Sequence, residues 1–268
     1  MSVIKVARFL FSLVNFQRLK SYADVEAQQY CQVRLGRNMD TTGTPLWSSE
    51  FSLDDECHRE LHSRDSLYYI GISVKNGPSE YHDTKIVTLS PRFILQNSTP
   101  FNLKFSQQYL VFGLWERDSK SFVSATSGSA CNFHWSDPNQ AALLCARISD
   151  PVSSRWSGGF PIHQVGTHYL NLRVGSSEMI FLEVQVVYHS AMFFIEVRDL
   201  NGTPPLIRVD NLSAVPVTVL QDGCKDASVR CEIPSESSLP YVFDEPALKE
   251  VLLCQVRNSK QAWFDLVI

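Results

Sequence analysis

The run Ser90-Pro91-Arg92-Phe93-Ile94-Leu95-Gln96-Asn97-Ser98-Thr99-Pro100-Phe101-Asn102-Leu103-Lys104-Phe105-Ser106-Gln107 alternates apolar and polar residues on both sides of a central asparagine. Its pattern is written a second time, 114 residues later and without a gap. Pro91, Phe93, Leu95 and Asn97 return as Pro205, Ile207, Val209 and Asn211, and Phe101, Leu103, Phe105 and Gln107 return as Val215, Val217, Val219 and Gln221. Period-two alternation gives a strand one buried face, and the residues after each asparagine interrupt it. The pattern predicts a repeated β-hairpin whose reversal follows Asn97 and Asn211. Asparagine suits that place, because it tolerates a left-handed backbone and its side-chain amide bonds to nearby main chain.

Other fragments keep nearly the same period. Trp47-Ser48 with Phe51 and Leu53 returns as Trp156-Ser157 with Phe160 and Ile162, a shift of 109. Cys31, Cys145 and Cys254 open the related strings Cys-Gln-Val-Arg, Cys-Ala-Arg and Cys-Gln-Val-Arg, and Phe133-His134-Trp135-Ser136-Asp137-Pro138 is echoed by Tyr241-Val242-Phe243-Asp244-Glu245-Pro246. From Lys85 onward almost every segment is strand-sized and bounded by Gly, Pro, Asn, Asp or Ser. The expectation is an all-β chain of tandem antiparallel β-sandwich modules of about 110 residues each. The divisions read from the period are 1–83, an incomplete module; 84–190, a complete one; and 191–268, a module cut short at its C-terminal end.

The first twenty residues stand apart. Lys5, Arg8, Ser12, Asn15 and Arg18 are spaced so that a helix would gather them into one polar stripe. Two readings stay open: a helix or strand packed on the first module, or an amphipathic helix lying on a membrane surface.

Composition narrows the function. The 268 residues are 44% hydrophobic, and 24 basic against 28 acidic residues leave a net charge of −4. No Lys/Arg block has the density that phosphate neutralisation needs, so nucleic acid is not expected as a partner. No apolar run reaches the roughly 18 residues of a membrane span. Seven cysteines without a Cys-x-x-Cys pair suggest reduced thiols, with Cys31, Cys145 and Cys254 as small apolar core residues in a cytosolic protein. The sequons at Asn97, Asn201 and Asn211 point weakly the other way, although turn geometry already accounts for two of them.

Enzyme chemistry finds little support. Cys57, His58, His62 and His82 are of metal-ligating type, and a helix over 54–66 would place His58 and His62 on one face, but their spacing matches no ligand pattern. Gly128-Ser129-Ala130 lacks the second glycine of a nucleophile elbow, and no phosphate-cradling glycine loop is present. The histidines His134, His163 and His168 read as strand or loop residues, and Trp135 and Trp156 as core anchors. No catalytic residue, metal or cofactor is therefore assigned.

Taken together, the repeated Asn strings, Phe133-His134-Trp135 and Trp156-Ser157-Gly158-Gly159-Phe160-Pro161-Ile162 resemble the adaptor-binding domain of the vacuolar protein sorting thirteen family, also called the VAB or SHR-binding domain. The resemblance covers roughly residues 30–268. It implies Asn-marked β-modules within a bridge-like lipid-transfer protein of membrane contact sites. It also implies binding of membrane-resident adaptors, in some cases through a Pro-x-Pro motif, and hence a cytoplasmic, peripheral place at organelle membranes. Asn97 and Asn211 are the residues carried across as module markers. The lipid-conducting rod is not part of this chain, so the function expected of it is recruitment. The alternative is a β-module that binds membrane directly through its N-terminal stretch.

Overall fold

The computed structural model describes residues 3–6, 14–19, 30–35, 47–53, 57–62, 67–82, 84–111, 114–117, 122–137, 139–150, 154–175, 178–200, 202–224, 226–256 and 264–267. The all-β expectation holds: among them, the only helical segments are two single 3₁₀ turns, Ser79–Tyr81 and Ala227–Val229. The chain divides into two compact units. The first comprises 1–95, 131–140 and 187–195, and the second 96–130, 141–186 and 196–268. The divisions taken from the repeat period, at 83/84 and 190/191, both fall within the first unit, so period and spatial unit partition the chain differently.

The first unit contains a sheet in the order Val3–Val6, Lys85–Pro91, Leu67–Asn76, Cys57–His62, and a smaller one in the order Val14–Leu19, Tyr30–Leu35, Phe51–Ser52. Its core holds Cys31, Val33, Phe51, Leu53, Leu61, Ile70, Ile72, Val87 and Leu89, each at most 2% exposed. These residues alternate along their strands, as a face turned inward requires. Phe93 forms a second focus, stacked on Phe193 at 5.8 Å with Trp135 edge-on to it at 5.8 Å. Trp135 is thus a core anchor, 4% exposed.

An N-terminal helix is not what the structure shows. Val3–Val6 is a strand parallel to Lys85–Pro91, with Val3 opposite Ile86, and Val14–Leu19 is antiparallel to Tyr30–Leu35. The polar residues do fall at helical spacing, but Val3, Ile4, Val6, Val14 and Phe16 favour extended backbone, and a neighbouring ladder satisfies the main chain. Residues 7–13 and 20 lie outside the described residues.

The second unit is built from four groups of strands. One sheet runs Leu114–Arg117, Leu103–Val111, Leu143–Ile148, Phe160–Pro161, with Val123–Ala125 also on Leu103–Val111. A long antiparallel ladder joins Gly166–Val174 to Glu178–His189, from Gly166 opposite Val186 to Val174 opposite Glu178. A two-stranded pair joins Ile207–Asn211 to Ser237–Tyr241. A four-stranded sheet runs Cys231–Ile233, Val217–Gln221, Val251–Val256, Phe264–Val267. Val219, Ile233, Tyr241, Phe243 and Leu252 form a core between the last two.

The hairpin expectation needs correction. Phe93–Asn97 does not pair with Leu103–Val111; it lies between Ala130–Phe133 and Met192–Asp199 in a different sheet. Ile207–Asn211 likewise pairs with Ser237–Tyr241, and Val217–Gln221 with Cys231–Ile233 and Val251–Val256. At each asparagine the chain passes from one sheet to another, forming an arch. Alternation describes which face is buried and is the same for either connection; only the pairing partners distinguish them.

Candidate functional site

The two asparagines hold their arches by matching bonds. Asn97 Nδ2 donates to the carbonyls of Phe101 at 2.7 Å and Ala125 at 3.0 Å, while Oδ1 accepts from the Thr99 N–H at 3.1 Å and the Thr99 hydroxyl at 2.7 Å. Asn211 Nδ2 donates to the carbonyls of Val215 at 2.9 Å, Ile233 at 3.1 Å and Pro234 at 2.8 Å, and Oδ1 accepts from the Ser213 N–H at 3.1 Å and hydroxyl at 2.7 Å. Both side chains are buried, Asn97 wholly and Asn211 with 5% exposed. A carboxamide has two donor hydrogens and an oxygen with two lone pairs, so the Asn97 amide is fully used. With both Nδ2 groups buried and bonded to main-chain carbonyls, the folded arches have no room for a glycan at either asparagine; Asn201 lies outside the described residues.

A second local geometry occurs twice. Ser48 Oγ accepts from the Val33 N–H at 3.2 Å and donates to its neighbour's carbonyl at 2.8 Å, and Ser157 Oγ does the same with the Ala146 N–H at 3.0 Å and the Gly158 carbonyl at 2.8 Å. The preceding tryptophans are half-buried under arginines, Arg34 lying 4.4 Å from the Trp47 ring centre and Arg147 5.0 Å from that of Trp156. Trp156 is therefore the floor of a cation–π stack, where a core anchor was expected.

The candidate binding site is a groove of about 270 Å³ in the second unit. One wall is Thr167, His168 and Tyr169; the other is Leu206, Ile207 and residues drawn from the 241–250 segment, among them Tyr241, Phe243 and Leu248. The first wall is a strand edge. Arg155 N–H donates to the Arg173 carbonyl at 2.9 Å, which places the main-chain groups of Arg173 on the side facing away from Glu178–His189. Two-residue periodicity along the unbroken ladder turns the main-chain groups of Tyr169 and Thr167 the same way, toward the groove. Among the described residues no strand pairs with them there. Leu206, in the lining, is 67% exposed.

The far wall rests on a buried polar network. Arg173 and Asp244 meet in a two-pronged ion pair, Nε to Oδ1 at 2.7 Å and Nη2 to Oδ2 at 2.8 Å. Asn171 Nδ2 donates to Asp244 Oδ1 at 3.1 Å and the Tyr241 hydroxyl to Oδ2 at 3.3 Å. Burial opposes the charge on Arg173, but the Asp244 bonds outweigh it and hold the guanidinium protonated. Burial, reinforced by the Asp244 charge, drives the Tyr241 phenol well above its ordinary range, so it remains a donor. Gln221, fully buried, steadies the next turn: its Nε2 donates to the carbonyls of Glu245 at 2.9 Å and Lys249 at 3.1 Å, and its Oε1 accepts from the Glu245 N–H at 2.8 Å.

Among the described residues no three side chains of metal-ligating type come together. Cys57–His62 is a strand where a helix would have been needed. Adjacent Cys57 and His58 therefore point to opposite faces, with Cys57 against the core. His58 and His62 are four positions apart on that strand, about 13 Å along the backbone, where a helix would have set them one turn apart. Burial, with Arg92 and Arg59 nearby, keeps the His58 pKa below its usual value. His134, against Tyr68 at 4.8 Å, and His168 are lowered by burial as well. All seven cysteines are free thiols, Cys31 and Cys145 fully buried and Cys254 half-buried.

A family model described as vacuolar-sorting associated protein 13, adaptor binding domain, matches residues 17–250. The chain is similar to the intermembrane lipid transfer protein VPS13D of Homo sapiens, 32% identical over 245 residues, which is 89% of this chain and 6% of that protein. It is similar to Vps13D of Drosophila melanogaster at 32% over 253 residues, 92% of this chain and 6% of that one. It also matches VPS13 of Chaetomium thermophilum at 23% over 234 residues, 82% and 7% of the two chains. The chain thus spans less than a tenth of the length of these relatives.

Proposed function

Since the chain belongs to the vacuolar-sorting associated protein 13 family and carries its adaptor-binding domain, we propose that it is a non-enzymatic docking module which recruits an intermembrane lipid-transfer protein to organelle membranes by holding membrane-resident adaptors. The observation that supports this most is the groove beside the edge at Thr167 and Tyr169, with which no strand among the described residues pairs. An extended segment, Pro-x-Pro in form, would add to that edge through its main chain and set alternate side chains against Leu206, Ile207 and Leu248. Prolines suit such a segment, because they limit the order lost on binding. Asn97 and Asn211 serve as module markers that fix the arches, and 84–190 and 191–268 are the proposed complete and shortened modules. The proposed place of action is cytoplasmic, peripheral at contact sites, a reading supported by the likeness to intermembrane lipid transfer proteins.

Titration of the chain with a labelled Pro-Val-Pro peptide and its Pro→Ala counterpart tests the reading. Binding on the order of micromolar, lost with the prolines, is expected. Flotation with neutral and anionic vesicles, with and without residues 1–20, tests the membrane alternative. Vesicle binding that depends on residues 1–20, with no peptide binding, would replace the docking reading.

A further inference from the structure

We infer that the outer edge of the Ile207–Asn211 strand is a self-association site, which takes the Lys85–Pro91 strand of a second copy of this chain in place of that copy's own Val3–Val6. The inference is independent of what the groove holds. One edge of Ile207–Asn211 is bonded to Ser237–Tyr241, and no strand among the described residues pairs with the other. Pro240, opposite Arg208, has no N–H to donate, so the bonded pairs are those of Ile207, Val209 and Asn211. The main-chain groups of Arg208 and Asp210 therefore face the open side. In the counterpart strand Phe93–Asn97 that side is filled. The Phe193 N–H donates to the Arg92 carbonyl and the Ser98 N–H to the Val197 carbonyl, both at 2.8 Å, so Met192–Asp199 runs parallel beside it. Phe93 and Leu95 are buried, whereas Ile207 and Val209 are only half-buried, and Leu206 and Leu212 at the two ends of their strand are exposed.

The first unit identifies the occupant. Val3–Val6 stands to Lys85–Pro91 as Phe93–Asn97 stands to Met192–Asp199: it runs parallel, with Ile4 opposite Val87 and Val6 opposite Leu89. Lys85–Pro91 and Met192–Asp199 correspond in turn, since each is paired on its far side with the strand that precedes it, Leu67–Asn76 and Glu178–His189. The open strand and the strand already accepted there also share a sequence: Ile4-Lys5-Val6 and Ile207-Arg208-Val209 are the same apolar-basic-apolar string. Exchange sets Ile207 opposite Val87 and Val209 opposite Leu89. It joins the copies head to tail, because the two edges are different surfaces of the chain. The Thr84 carbonyl and the Arg92 N–H bond Gly77 and Tyr69, which leaves the main-chain groups of Val87 and Leu89 for Lys5. Lys5 and Arg208 are thus the residues whose main chain competes for one edge. The strand of the same chain has the advantage of proximity, with an effective concentration on the order of millimolar, so the chain is mainly monomeric when dilute and associates as it is concentrated.

Sedimentation velocity on the whole chain tests this with two prolines. Lys5→Pro removes the N–H that Val3–Val6 offers to Lys85–Pro91 and frees that edge, so self-association should tighten by about tenfold or more. Arg208→Pro removes an N–H on the open side alone. It should keep the parent's melting curve and, combined with Lys5→Pro, return the chain to a monomer. Amide hydrogen exchange on the parent, at about 10 µM and about 500 µM, covers the case in which Lys5→Pro fails to fold. Arg208 and Asp210 should exchange more slowly at the higher concentration, and Lys5 faster. Association of folded Lys5→Pro no tighter than the parent's, association that survives Arg208→Pro, or exchange at these three amides that is the same at both concentrations would overturn the inference.

Discussion

Replacing Asn97 by serine removes a side chain that makes four hydrogen bonds inside the protein. Each such bond is worth about 0.5–1.5 kcal/mol net, and a buried carbonyl left without its donor costs about 1–3 kcal/mol. A serine hydroxyl is shorter and can replace one of the four, so the expected loss is about 2–4 kcal/mol. For a chain of this size that lowers the melting temperature by roughly 5–12 °C. Asn97→Asp separates geometry from chemistry: it keeps the acceptor toward Thr99 but sets a carboxylate oxygen against the carbonyls of Phe101 and Ala125. That substitution should be worse than serine at pH 7. Burial raises the new carboxyl's folded pKa above its unfolded value, so the folded state binds more protons, and the variant should regain stability as pH falls toward 5. Near-ultraviolet circular dichroism melts at both pH values give the answer. Melts of both variants within about 1 °C of the parent would refute the claim that these bonds hold the arch.

Asp244→Asn leaves Arg173 charged and buried without its partner, so it should destabilise by about 3–5 kcal/mol, whereas the double change with Arg173→Met should recover much of that loss; a double-mutant cycle measures the coupling. His134 has its folded pKa below its unfolded value, so stability should be full above about pH 6.5 and fall as pH drops through that range; His134→Gln should flatten the decline, by up to about 1.4 kcal/mol per pH unit, in urea titrations at pH 7 and pH 5. Burial pushes the Cys131 thiol up to about 11 and, with Glu245 and Asp244 nearby, Cys224 up to about 12. These thiols, with the buried Cys31 and Cys145, should react slowly with alkylating reagents until the chain is unfolded, as mass spectrometry of timed samples would show.

The alternation about Asn97 and Asn211 was enough to read strands, buried faces and the placement of an amide at each reversal. It could not reveal that the reversal joins two sheets, since the partners of Phe93–Asn97 come from 130–133 and 192–199, distant in sequence. The N-terminal strands were obscured for a related reason: polar residues at helical spacing carried a local signal, and the ladder to Lys85–Pro91 is not local. The echo between Phe133-His134-Trp135 and Tyr241-Val242-Phe243 has a counterpart in space. Phe133 and Trp135 meet edge to face at 5.0 Å and 88°, and Tyr241 and Phe243 at 5.8 Å and 90°. The groove itself had no visible signature, because its walls are separated by some forty to eighty residues and one of them is main chain. Asp244 was visible within the echo, but its partner Arg173 lies in another strand. Gln221 was seen only as the last member of the repeat, and its hold on the turn beyond Asp244 depends on a loop that the alternation does not describe.

Residue-resolved amide hydrogen exchange on the whole chain, with and without a saturating Pro-Val-Pro peptide, tests strand addition where it is proposed. The amides of Thr167 and Tyr169 should exchange as unpaired edge groups in the free protein and become at least tenfold slower in the complex, while Leu170 and Leu172, facing Glu178–His189, change little. Unchanged exchange at Thr167 and Tyr169 under conditions where the peptide is shown to be bound would contradict the assignment of this edge as the docking site.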